Sequence, residues 1–205
     1  MREKKKCLIF GASGKISKLI IKYFIKKNYF ITGISKTSRI YDNKDYQHIY
    51  FDITKPISKK IIKIINQKNL KFIFFCINKN EKKIDFETDF ILMAKYHLFF
   101  PIRVAKLLKK GNNPKIILMN SDIILKKNDN FIYSGIKLLS SYFINFTKYY
   151  LREKIKFYSI LMGKINSSNI NKLNKILDKL NNHQIQNKSI NINLDKKKSI
   201  AVKFD

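Results

Sequence analysis

Tryptophan is absent from this 205-residue chain, and proline occurs 3 times, glycine 6 times, histidine 3 times and cysteine 2 times. Cys7 and Cys76 sit inside apolar strand-like runs, with no Cys-x-x-Cys pair, and His48, His97 and His183 are scattered. That usage excludes a disulfide framework and a zinc pattern, and it predicts reduced, buried thiols in a cytoplasmic protein. No stretch reaches the ~18 apolar residues that a membrane helix needs, so no membrane partner is expected. The opening MREKKKCLIF has the basic start of a secretory leader, but its apolar run is too short and continues straight into a glycine turn.

Acidic residues are the other shortage: 14 Asp and Glu stand against 43 Lys and Arg, a formal charge of +29. Such a balance ordinarily points to nucleic acid or an anionic surface. Here the cations are overwhelmingly lysine, run the whole length of the chain, and accompany an excess of Ile, Asn, Tyr and Phe over Gly, Pro, Ala and Trp. A bias of A+T-rich coding on every exposed position explains that pattern. The expected result is a solvated lysine surface without a specific nucleic-acid partner. With 45% hydrophobic residues, the length suits one domain with a sizeable core.

What is present falls into an ordered series. Residues 6–10 form a short apolar run closed by Gly11-Ala12-Ser13-Gly14, after which Ile16, Leu19, Ile20, Tyr23 and Phe24 recur with helical spacing. Strand, glycine turn and helix together bring backbone N–H groups and a helix N-terminus up to a pyrophosphate, an approach that only small residues permit. A second apolar run, 29–34, leads into Ser35, Lys36, Thr37, Ser38 and Arg39, with no acidic residue before Asp42. A third ends at Asp52-Ile53-Thr54, where Asp52 can close a turn, Thr54 is the expected helix N-cap and Pro56 falls in the first turn. Ile57, Ile61, Ile64 and Ile65 supply that helix's buried face.

Residues 70–77, LKFIFFCI, are almost wholly apolar, as in a central parallel strand covered on both sides. The helix that follows contains Tyr96, His97 and Pro101, and the proline should bend it near His97. Residues 111–114 form a turn. The next run, 116–119, ends at Asn120-Ser121; Tyr133 follows twelve residues after that serine, and Lys137 four after the tyrosine. If Tyr133 opens a helix, Lys137 lies one turn further on the same face. An ammonium ~4 Å from a phenol, at an effective dielectric of ~20, favours the phenolate by up to ~4 kcal/mol, roughly three pKa units, which brings a tyrosine toward the working range of an acid or base.

Ser, then Tyr-x-x-x-Lys, on a chain that begins strand, GASGKIS, helix, resembles the short-chain dehydrogenase/reductase family. The resemblance covers about residues 5–165 and implies a single doubly wound α/β domain of Rossmann type with a parallel sheet of six or seven strands. It implies a core over residues 1–165 and a short substrate-lid and edge segment over 166–205, with a helix near 170–180 and an edge strand in 189–194 or 199–204. Catalysis would fall to Tyr133 as proton donor or acceptor, Ser121 as hydrogen-bond partner of the substrate oxygen and Lys137 on the nicotinamide ribose. His97 stands where the family has an asparagine that holds a water chain. The cofactor set would be Gly11, Ser13, Gly14, Lys15, Ile16, Ser35, Lys36, Arg39, Asp52, Ile53, Asn78, Tyr133, Lys137 and Gly163. The cations and hydroxyls after the second strand, in place of an acid, predict NADP(H) over NAD(H).

Four positions depart from the family pattern: Ser17 replaces the third glycine of the turn, Phe75-Cys76-Ile77-Asn78 replaces Asn-Asn-Ala-Gly, His97 replaces asparagine, and Met162 precedes Gly163 in place of proline. The expected function is an NADP(H)-dependent oxidoreductase acting on a small carbonyl or secondary alcohol, assembled as a homodimer or homotetramer through the apolar helix after Lys137. A nucleotide-sugar epimerase or dehydratase and a degenerate, non-catalytic Rossmann binding protein are the alternatives; the chain is short for the former, and the four departures favour the latter.

Overall fold

The computed structural model describes residues 3–37, 41–77, 85–121, 135–137, 139–140, 157–162, 166–182 and 192–193. Among the described residues, seven parallel strands, β1 (Lys6–Phe10), β2 (Phe30–Ser35), β3 (Tyr46–Tyr50), β4 (Leu70–Phe75), β5 (Lys115–Ser121), β6 (Phe157–Met162) and β7 (Ile192–Asn193), form one sheet in the order β3-β2-β1-β4-β5-β6-β7. The expected α/β architecture with a parallel sheet is therefore present, with the short β7 pairing to β6 inside the stretch 189–194.

Side chains leave a strand alternately to its two faces, and the central strands divide accordingly. Cys7 and Ile9 of β1, Phe72 and Phe74 of β4, and Ile117 and Met119 of β5 enter one apolar layer. Leu8, Phe10, Ile73, Phe75, Ile116 and Leu118 enter the other. The first layer is covered by α1 (Lys15–Lys26), through Ile20, Ile21 and Phe24, and by the helix Ser167–Asn181, α5, through Leu173, Ile176, Leu177 and Leu180. The second is covered by α2 (Lys59–Ile65) and by the continuous helical stretch α3 (Phe86–Ala94), a π-helical turn (Lys95–Phe99) and α4 (Phe100–Lys106).

Local chemistry explains the boundaries. Asn28, at φ 61°, ends α1 in the left-handed conformation that helix C-termini favour. Ser58, not Thr54, caps α2: its hydroxyl accepts from the Ile61 amide, while Thr54 donates both its amide and its hydroxyl to Asp52 Oδ1, at 2.9 and 2.7 Å. Pro56 accordingly precedes the cap instead of lying in the first turn, and the helix starts four residues later than the Thr54 cap predicts. Asp52 does close the turn. A proline ring collides with the carbonyl four residues back, for Pro101 that of His97, and over Lys95–Phe99 the helix widens to a π turn.

Helix α5 is stitched to both neighbours. Tyr23 and Tyr29 donate to Asp178 and Asn181 at 2.7 and 2.5 Å, Lys27 pairs with Asp178 at 2.8 Å, and buried Lys115 donates to the Leu180 carbonyl. That carbonyl is among the last four of the helix, which have no partner within it.

Candidate active and cofactor site

The strand order reverses between β1 and β4, and a doubly wound sheet places its ligand crevice outside the carboxyl ends of the strands at that point. Three groups of residues converge there.

The first is the glycine turn. Gly11 adopts φ +76°, and a Cβ on it would come within 2.6 Å of the Cys76 carbonyl oxygen, so both its conformation and its space demand glycine. The Gly11 and Ala12 amides donate to the Ile34 carbonyl, and the Cys76 amide donates to the Phe10 carbonyl, which ties the turn to β2 and β4. Ser17 is fully buried and donates to the Gly11 carbonyl at 2.6 Å. The serine thus fits under the turn and satisfies one of its oxygens. Gly14 is the N-cap of α1 without a side-chain cap, and the first turn carries no acidic residue. Free first-turn amides and an uncovered positive dipole end fit a pyrophosphate. Ser13 and Lys15 are exposed beside it, whereas Ile16 packs partly into the α1 layer.

The second group lies at the ends of β2 and β3. Ser35 is buried, and its hydroxyl meets Thr37 Oγ1 at 3.1 Å and His48 Nε2 at 3.3 Å. Lys36 reaches Asp52 at 2.7 Å. The hydrogen bond to Asp52 raises the Lys36 pKa. Burial opposes ionisation of Asp52, but Lys36 and the two Thr54 bonds outweigh it and hold the carboxyl at about 2. Ile53 packs partly into the α2 layer.

The third group surrounds Lys137. Residues 135–137 are helical, and the Lys137 side chain, 2% exposed, donates to the Met119 carbonyl at 3.3 Å, near the carboxyl end of β5. Burial lowers its pKa to about 7, with Cys76 pulling weakly the other way. His97, buried on the π turn, has its pKa driven well below the usual value by burial first and by the Lys137 charge second. Phe75, Tyr96, His97, Asn120 and Lys137 line a small pocket between them. Asn120 donates to Ser159 at 2.8 Å and so fixes the end of β5 to β6. Cys76 borders the glycine turn, its thiol pushed up to about 12 by burial; Cys7 is buried and raised too, and both are free thiols as expected.

The predicted residues Lys137 and His97 are therefore brought together at the end of β5, where Ser121 closes the strand, while Gly11 and Gly14 form the turn and Ser35, Lys36 and Asp52 meet beside it. Arg39, Asn78, Tyr133 and Gly163, and the Ser121 side chain, lie outside the described residues. Sequence reasoning missed Asn120, Tyr46 and His48 as members of these clusters. A mid-strand glycine, Gly33, is the one signal that pointed to a close approach there. Among the described residues no group of His, Cys, Asp and Glu could hold a metal, and no helix is long and apolar enough to cross a membrane.

No family model and no curated protein matches the sequence. Solved structures do match the fold. A short chain dehydrogenase from Leptospira borgpetersenii serovar Hardjo-bovis with bound NAD+ has TM-score 0.66 and 18% identity, over 85% of this chain and 78% of that one. An alcohol dehydrogenase from Thermococcus sibiricus complexed with 5-hydroxy-NADP has TM-score 0.65 and 12% identity, over 86% and 91%. Pen from Bacillus thuringiensis has TM-score 0.61 and 16% identity over 80% of this chain, which spans only 52% of Pen. The class is thus an α/β domain of Rossmann type. Within it, the chain has the short-chain dehydrogenase/reductase fold.

Proposed function

We propose that this protein is an NADP(H)-dependent oxidoreductase that interconverts a carbonyl and a secondary alcohol. The observation that carries the reading is Lys137: a buried ammonium, borne on a helix and held against the carboxyl end of β5, two residues before Ser121 in that strand. Four residues before it in sequence stands Tyr133, the proposed proton donor and acceptor. Lys137 lowers the pKa of that phenol and holds the nicotinamide ribose; Ser121 hydrogen-bonds the substrate oxygen. His97, packed near Lys137 on the π turn, takes the position from which a side chain holds water beside the lysine. The glycine turn, with Gly11, Ser13, Gly14, Lys15 and Ile16, holds the pyrophosphate, and Ser35, Lys36 and Arg39 receive the 2′-phosphate. Asp52, Ile53, Asn78 and Gly163 complete the cofactor cleft. A nicotinamide cofactor supplies the hydride chemistry that side chains lack.

Exposed Phe86, Phe90, Ile91, Phe99 and Leu139 support self-association through the helices that carry them. Buried thiols and a sheet covered on both faces are consistent with the cytoplasm. The reading is tested by titrating the protein with NADPH and NADH, followed by a screen of ketones and aldehydes with the bound nucleotide. Tyr133→Phe should leave nucleotide affinity unchanged and lower turnover by ~10²-fold or more. Unchanged turnover ends the catalytic assignment, and failure to bind either nucleotide ends the cofactor assignment.

A further inference from the structure

Beneath the end of β2 lies a chain of side chains that the cofactor reading uses only at Ser35. Gly33 of β2 stands opposite His48 of β3 in the parallel register. The Tyr46 hydroxyl occupies the space over Gly33, where a Cβ would come within 2.2 Å of it and within 2.9 Å of the Ala12 methyl of the glycine turn. From that hydroxyl the contacts run on: Tyr46 Oη to His48 Nδ1 at 2.9 Å, His48 Nε2 to Ser35 Oγ at 3.3 Å, Ser35 Oγ to Thr37 Oγ1 at 3.1 Å. A half-buried imidazole thus links the floor of the glycine turn to the two hydroxyls that follow β2.

We propose that His48 is the residue that makes this subsite select a phosphorylated adenosine ribose over an unmodified one. The inference rests on the nucleotide-binding reading above and adds to it a residue on a different strand. A free ribose diol needs an acceptor at the end of β2, the part a carboxylate plays. Ser35 stands there instead, with the imidazole behind it. When Nε2 donates to Ser35 Oγ, the serine's own proton turns to Thr37, whose carbonyl and hydroxyl oxygens lie at 3.5 and 3.1 Å, and the proton of the exposed Thr37 hydroxyl is left as the outward donor. When both ring nitrogens carry protons, a positive charge sits directly beneath Ser35. An approaching phosphate favours that charged form, because opposite charges ~4–6 Å apart stabilise one another even across an intervening hydroxyl. A neutral diol does not. Among the described residues the other titratable groups at the imidazole are Tyr46 on its own strand and, beyond Ser35, Lys36, whose ammonium is held by Asp52; Tyr41 meets Tyr46 edge-on at 5.9 Å.

Binding of the 2′-phosphorylated nucleotide should therefore take up protons through His48, and binding of the other should not. The test is calorimetric titration of the wild-type protein and of His48→Gln with NADPH and with NADH at pH 7, in two buffers of different ionisation enthalpy. The expected result is proton uptake with NADPH alone, lost in H48Q. NADPH affinity should fall about tenfold in that variant, the worth of one charge-assisted hydrogen bond, while NADH affinity stays within about twofold. His48→Leu should lose more NADPH affinity than H48Q, since glutamine can still bridge Tyr46 and Ser35. Uptake that persists in H48Q, or equal weakening of both nucleotides, overturns the assignment while the nucleotide site stands. A wild-type protein that binds neither nucleotide overturns both.

Discussion

The ammonium of Lys36 and the carboxylate of Asp52 form an ion pair at 2.7 Å across the ends of β2 and β3. The proposed cofactor cleft includes both, Lys36 at the 2′-phosphate, and a lysine already given to a carboxylate is only partly available to a phosphate. Asp52→Asn should release it. NADPH affinity should then rise severalfold relative to NADH, with a steeper salt dependence. A fall in the affinity of both nucleotides would show instead that Asp52 contacts them directly.

The same pair contributes little to stability. Lys36 is 51% exposed and Asp52 21%, and exposed pairs are worth ~0–1 kcal/mol. Because the Asp52 pKa is depressed to about 2, that contribution is present above the unfolded value of ~3.9 and lost as pH falls through about 2. The unfolding free energies of D52N and wild type at pH 7, from denaturant titration, should differ by less than ~1 kcal/mol.

Lys137 behaves oppositely. Its folded-state pKa, about 7, lies below the ~10.4 of an unfolded lysine, so between those values the unfolded chain binds more protons and stability rises with pH. Below about 7 the cost of the buried charge is felt in full. Lys137→Met should stabilise the nucleotide-free protein by a few kcal/mol at neutral pH, on the order expected for such a shift, and flatten its stability between pH 7 and 10. Thermal melts across that range decide the matter; an unaltered pH profile would mean that the lysine is solvated. The proposed activity should disappear in the same variant.

Gly11 and Gly111 separate space from conformation. Both have positive φ, +76° and +90°, but a Cβ at Gly11 meets the Cys76 carbonyl at 2.6 Å, and one at Gly111 meets nothing within 4 Å. Gly111→Ala should cost ~1 kcal/mol, the price of the left-handed conformation alone. Gly11→Ala should cost at least ~2 kcal/mol more and abolish nucleotide binding, because the turn must move off β4. Equal losses in the two melts would refute the close approach.

Phe86 and Phe90 stack at 6.2 Å on an exposed face, in a stretch where Asp85, Glu87 and Asp89 interrupt an otherwise basic surface. If this face joins two copies, sedimentation of Phe90→Glu and of Leu139→Glu should shift toward the monomer with unchanged melting curves. A wild-type protein that sediments as a monomer at all concentrations would dispose of the dimer.

The central strands β1, β4 and β5 were legible because each is a largely apolar run set between helical periods, and Lys6–Phe10 follows the sequence reading to the residue. The glycine turn was legible from composition alone. Thr54 misled because a hydroxyl followed by proline imitates a helix start, and only the Asp52 side chain, which takes both Thr54 donors, reveals a turn. His48 looked like one of three scattered histidines since its partners lie on the neighbouring strand, and strand register is not written in any local window. Spacing placed Lys137 one helical turn past Tyr133, but its depth depends on what β5 and the π turn pack over it. Whether Tyr133 and the Ser121 hydroxyl meet it lies outside the described residues.

The position of α5 in the chain bears on synthesis. Leu173, Ile176, Leu177 and Leu180 close the apolar layer that Cys7, Ile9 and Phe24 open. A chain still on the ribosome with only residues 1–165 emerged carries every residue of the proposed nucleotide cleft, yet leaves the part of this layer that α5 covers exposed. It should stay a chaperone client until α5 docks, and stalled translation intermediates should bind apolar dyes that the released protein does not.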